Sequence, residues 1–163
     1  MNITLITLIL VIIACTIAVL SVNYIKEKRR RKDKMSFKES MDLTNLPIVT
    51  FYTGKNKLNF ILDTGSDTSY INARELEKLN YEKLPYEGKV LGLGEQSSCP
   101  FIKTSLYHDN MKFETLMQCI DLSGTFDAIK SDSGVNIHGI LGSKFFAEYK
   151  YILDFNELIA YRK

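Results

Sequence analysis

Three patterns of hydrophobic and polar positions follow one another along this chain. Residues 2–23 carry no charge and are dominated by Ile, Leu, Val and Ala. A helix of roughly 20 such residues crosses the hydrocarbon core of a bilayer, and the few Thr and Ser residues can bond back to their own helix. Residues 24–45 are polar and charged, with Met35, Phe37, Met41 and Leu43 as scattered apolar positions. That stretch reads as a juxtamembrane linker, with a short helix around 37–41. From Leu46 onward, short runs of β-branched and aromatic residues alternate with Gly, Asn and Asp, the pattern of strands joined by tight turns.

The spacing predicts strands over 48–52 and 58–62, joined by a turn at 54–56, then a short strand at 68–71. A short helix is expected over 72–79, with Asn72 as its N-cap. Further strands are expected over 89–93, 101–107 and 111–121, the last two joined by a hairpin at Asp109-Asn110. A Gly/Ser/Asp-rich loop follows over 122–136. After it come an apolar stretch at 137–141, a helix over 143–149 and a closing hairpin of 151–155 with 158–161. Many short strands with two small helices describe a mostly β, closed domain over residues 46–163.

Charge adds a direction to the first segment. The net charge is only +2, and its excess sits in Lys26, Lys28, Arg29, Arg30, Arg31, Lys32 and Lys34. A nucleic-acid-binding face would spread its cations over the folded part, so that class is set aside. Basic residues at one end of a spanning helix favour the cytoplasmic side. Residues 1–23 are therefore expected to be a single-pass anchor, with everything after Lys26 in the cytoplasm and the cations against lipid headgroups. A cleaved signal peptide would need a basic start and a small-residue cleavage site, and the chain has neither. Ile12-Ile13-Ala14-Cys15 loosely fits a bacterial lipoprotein box, but 16–22 stays apolar where a polar tether should begin. The three cysteines, Cys15, Cys99 and Cys119, form no framework and no metal-ligand spacing. Cys99 and Cys119 could pair across neighbouring strands, but the blander reading is buried thiols. No metal or cofactor is called for.

The chemistry lies in Asp63-Thr64-Gly65-Ser66. A carboxylate at the end of an apolar strand is costly without a task or a partner. Gly65 permits a tight turn, and Thr64 and Ser66 supply hydroxyls. The bland alternative is an Asx-turn after a strand. Phe60-Ile61-Leu62 before the loop and Ile140-Leu141-Gly142 downstream weigh against it. Serine and cysteine hydrolase chemistry is excluded by two His residues and the lack of a nucleophile motif.

Taken together, residues 59–71 and 139–155 resemble the retropepsin-like aspartic proteases, the single-lobe relatives of pepsin. The resemblance covers residues 46–163 and implies a closed β barrel of the acid-protease fold. It implies Asp63 as the catalytic carboxylate, Thr64 locking two loops across a dimer axis, and Gly65 and Ser66 shaping the loop and bonding substrate. Asp67 would contact the substrate backbone, and Ile140, Leu141 and Gly142 would sit beneath the loop and complete its ψ-shaped crossing. A flap is placed at 90–96, with Gly92, Leu93 and Gly94 near its tip. The family's usual Arg after the ψ-loop Gly is Ser143 here, so a pairing of Asp67 with that Arg is missing. His138 stands where bacterial members often carry an acid, and reads as structural or substrate-lining. Asp132-Ser133-Gly134 fits a variant triad, but Lys130 and Ser131 replace the apolar strand before it, and it reads as a turn. The second carboxylate must then come from another copy. The implied activity is a membrane-anchored, homodimeric aspartic endopeptidase acting on peptide or protein substrates. The alternatives are a catalytically silent dimerisation or peptide-binding module, or a scaffold with Asp63 away from any two-fold axis.

Overall fold

The computed structural model of the chain describes residues 3–30, 32–90 and 97–162. The apolar run forms one helix, α1 (Ile3–Arg30), whose residues 6–26 are long and apolar enough to cross a membrane. The segment expected as a linker is largely built into the fold. It holds strand β1 (Lys32–Ser36) and helix α2 (Lys38–Thr44), and Met35 and Phe37 are core residues, each 1% exposed. Spaced two apart, they drive this segment onto the body by burying side chains worth roughly 1.5–3 kcal/mol each. The folded unit therefore starts at Lys32 rather than near Leu46.

Strands β2 (Ile48–Thr53) and β3 (Asn56–Leu62) form the expected hairpin around Gly54, which has φ 57°. Strand β4 (Ser69–Asn72) leads into a 3-10 helix at Ala73–Lys78. Strands β5 (Tyr81–Val90), β6 (Ser97–His108) and β7 (Met111–Ile120) follow, then helix α3 (Ser123–Ser133). Strand β8 (Gly139–Leu141), helix α4 (Ser143–Tyr149) and strands β9 (Tyr151–Asp154) and β10 (Ile159–Arg162) complete the chain. The order β2-β3-β8-β4-β7-β6 closes on itself through the Tyr52–Tyr107 pairing, making a six-stranded barrel with β5 outside it on β6. A second sheet has the order β1-β10-β9.

Phe51 sits at the barrel's centre, edge-on to Phe60 and Phe113 at 5.8 Å and to Phe145 of α4 at 6.2 Å. Such aromatic pairs add to plain area burial, and they fix α4 against the barrel. A second cluster of Ile48, Ile120, Leu122, Phe126 and Ile137 lies under α3.

Three further expectations need correction. The loop assigned to 122–136 contains α3, because Leu122, Phe126 and Ile129 recur at helical spacing and pack on that second cluster. Asp132-Ser133-Gly134 is the end of this helix, with Gly134 at φ 75° receiving the C-cap. Asn72 does not cap the following helix with its side chain. It is buried, and its Oδ1 accepts from the Leu122 N–H at 3.1 Å. Finally, the strand expected to start at 89 begins at Tyr81. As an edge strand it is mostly exposed, so it lacks apolar alternation, and its pairing with β6 is irregular between Lys83 and Glu87, around Pro85.

Candidate active site

Strand β8 is the key to the site. It pairs in parallel with β3, Leu62 opposite Leu141, and antiparallel with β4, Tyr70 opposite Ile140. The chain linking β3 to β4 must therefore arch over the end of β8. Residues 63–68 are that arch. The Asp63 N–H donates to the Leu141 carbonyl at 3.0 Å, and the Ser143 N–H donates to the Ser66 carbonyl at 2.7 Å. The Gly142 N–H donates to Ser69 Oγ at 3.1 Å. A side chain at Gly142 has no room: its Cβ would lie 2.4 Å from the Thr68 oxygen and 2.8 Å from the Ser66 oxygen. Ile140, Leu141 and Gly142 thus lie beneath the loop.

Within the arch, Asp63 is half-buried at the end of β3, and Thr64 and Gly65 are exposed. The Gly65 N–H donates to Asp63 Oδ1 at 2.9 Å, which orients the carboxylate. Ser66 turns its hydroxyl inward, onto the Thr68 carbonyl at 2.9 Å, so it braces the loop. Asp67 is exposed and takes part in an ion pair the sequence reading missed. Lys144 Nζ stands 3.1 Å from Asp67 Oδ2 and 3.3 Å from Thr68 Oγ1. Its hydrogen bond and charge hold the Asp67 carboxyl below its ordinary pKa. Asp67 was expected to lack a cationic partner because Ser143 follows Gly142, but Lys144, one residue later in α4, supplies one, the helix being held by the buried Phe145. The helix expected from Ser143 put Lys144 in its first turn but did not say which way it faces.

Beside the arch lies a cavity of about 340 Å³, bounded by Thr68, Ser69, Lys144 and Phe145 on one side and by Tyr86 and Phe101 on the other. Gly92, Leu93 and Gly94, expected at the flap tip, lie outside the described residues. The two strands that would carry the flap are β5 and β6, paired as far as Val90 and Ser97.

His138 is structural. It is 6% exposed, its N–H donates to the Asn59 carbonyl at 2.9 Å, and its own carbonyl accepts from the Asn72 N–H at 2.9 Å. Its Nδ1 accepts from the Asn59 N–H at 2.9 Å, and its Nε2 lies 3.0 Å from Asn136 Nδ2. Burial holds this imidazole below its ordinary pKa, against the opposing pull of Glu75. Glu75 is itself buried and ion-paired with Arg74 and Lys78. Cys119 is a buried thiol in the main core. Among the described residues no group of acidic, His and Cys side chains could hold a metal.

No family model matches the sequence, and no curated protein is significantly similar to it. Solved structures do share the fold. A retropepsin-like aspartic protease from Rickettsia conorii aligns with 78% of this chain and 87% of its own at 14% identity, with a TM-score of 0.50. EIAV protease, solved with an inhibitor, is 22% identical over 63% of this chain and 86% of its own, with a TM-score of 0.47. The retroviral protease-like domain of Ddi1 from Leishmania major is 13% identical over 68% of this chain and 82% of its own, with a TM-score of 0.46. The fold of this chain is retropepsin-like.

Proposed function

We propose that this protein is a membrane-anchored aspartic endopeptidase working as a homodimer, each chain giving Asp63 to one shared active site. The observation that carries this reading is the arch over Gly142, which presents the Asp63 carboxylate at a strand end beside exposed Thr64 and Gly65. Two such loops meeting about a two-fold axis bring their carboxylates close enough to share one proton, since both cannot ionise. The ionised member takes a proton from water as that water attacks the peptide carbonyl. The protonated member donates to the developing oxyanion, and no covalent intermediate forms. With Oδ1 holding the Gly65 N–H, Oδ2 is the oxygen left to the shared proton and the water. Thr64 would lock the loops across the axis, and Asp67, steadied by Lys144, would meet the substrate backbone.

An extended peptide would lie across the cleft in β conformation, with Gly92, Leu93 and Gly94 closing over it and excluding water. In this reading α1 is a single-pass anchor with the protease unit on the cytoplasmic side. Confinement to a membrane raises local concentration and favours pairing of two copies. The test is cleavage of a peptide library between about pH 5 and 7 by the full chain in detergent, with the dimer verified by sedimentation. Asp63→Asn is expected to abolish cleavage while leaving the dimer intact. A dimeric wild-type chain that cuts nothing and ignores pepstatin-type inhibitors would leave the silent peptide-binding module standing instead.

A further inference from the structure

The helix and the protease unit are joined with almost no slack. α1 ends at Arg30 and β1 begins at Lys32. β1 is bound into the body, with Lys32 opposite Arg162, Met35 opposite Ala160 and Ser36 opposite Ile159. Met35 and Phe37 are buried beneath it, and Tyr151 donates its hydroxyl to the Asp33 carbonyl at 3.0 Å. The apolar span ends at Lys26. The remaining turn of α1 rises about 6 Å, close to the roughly 5–7 Å of one headgroup layer. β1 therefore starts where the headgroups end.

From this we infer that the substrates are segments of membrane-tethered polypeptides, cut within about 11 extended residues of the bilayer surface. This rests on the reading of Asp63 as the catalytic carboxylate and of α1 as a spanning anchor. A compact body of this chain length is about 35 Å across, so Asp63 stays within that height whichever way the unit faces. An extended strand covers about 35 Å in about 11 residues. A substrate anchored in the same bilayer shares that thin layer with the cleft and meets it at high effective concentration. A cleavage site held rigidly above the layer cannot reach it.

The experiment places the full chain in phosphatidylcholine vesicles containing some phosphatidylglycerol. Reporter proteins carry a spanning helix, an oligoproline spacer and the sequence the enzyme cuts best from a peptide library. Spacers of about 5 and about 25 residues hold the site about 16 Å and about 78 Å from the surface. The near reporter is expected to be cut at least about 10-fold faster than the far one. Inserting an oligoproline segment of about 25 residues between Arg31 and Lys32 should reverse that preference. Equal rates on the two reporters, or no response to the insertion, overturn the inference. The same sequence as a soluble peptide reports on the protease itself: if wild type leaves it uncut just as Asp63→Asn does, the protease reading falls and the inference falls with it.

Discussion

Gly142→Ala tests the arch most directly. The added Cβ would lie 2.4 Å from the Thr68 oxygen, 2.7 Å from the Thr68 carbonyl carbon and 2.8 Å from the Ser66 oxygen. All three are backbone atoms, so no side chain can rotate away. Reaching an ordinary contact near 3.4 Å means moving the arch off β8 by about 1 Å. The same shift stretches the Ser143 N–H to Ser66 bond from 2.7 Å and the Gly142 N–H to Ser69 bond from 3.1 Å out of range. Two lost hydrogen bonds remove about 1–3 kcal/mol, and overpacking adds about 1–3 kcal/mol. The expected loss is therefore about 2–6 kcal/mol, read as a drop in urea midpoint at unchanged m-value. Because the strain falls on the loop proposed to be catalytic, kcat for peptide cleavage should also fall about 100-fold under conditions where the variant stays folded. Gly124→Ala in α3 is the control: nothing lies within 4 Å of its added carbon, and it should stabilise by about 0.4–1 kcal/mol. A Gly142→Ala protein within about 0.5 kcal/mol of wild type would refute the close crossing.

Two further outcomes follow from the charges around the barrel. Burial lowers the His138 pKa from its ordinary 6.5, so below that value the unfolded chain binds more protons than the folded one, and stability falls as pH drops from 6.5 toward the folded value. His138→Asn keeps an acceptor for the Asn59 N–H and should flatten that slope in urea titrations; an unchanged slope would remove His138 as its source. Lys144 lowers the Asp67 pKa from 3.8, so the stability it lends is present above 3.8 and fades as pH falls through the folded value. Both side chains are largely exposed, so Lys144→Met should cost roughly 0.5 kcal/mol or less. It should nevertheless raise the Asp67 pKa seen by NMR, and a static Asp67 titration would refute the pairing.

The barrel was legible where burial is one-sided. In β2 and β3 every second side chain is buried, Val49, Phe51 and Thr53 in one and Leu58, Phe60 and Leu62 in the other, so the period is plain. It was illegible where a strand has no buried face, as in β5, or where few apolar residues suffice, as in β1 with Met35 and α3 with Phe126. Those segments look like linker or loop because most of their positions face water. At the candidate site, Asp63 stood out by a local rule, a carboxylate at the end of an apolar strand, whereas Gly142 was named only through the family resemblance, because its close crossing with Ser66 and Thr68 is a tertiary contact. Lys144 was not readable, because its role depends on how α4 docks through Phe145, which is a tertiary fact.

The pairing of β1 with β10 also sets how the molecule bears force. Lys32 lies opposite Arg162, so the strand that follows α1 and the last described strand meet at the same end of their ladder. A pull between α1 and a handle attached after Arg162 would open this pair like a zipper, one hydrogen bond at a time. The barrel and the arch over Gly142 lie off that line of tension, so the terminal sheet should yield at low load while the barrel stays closed.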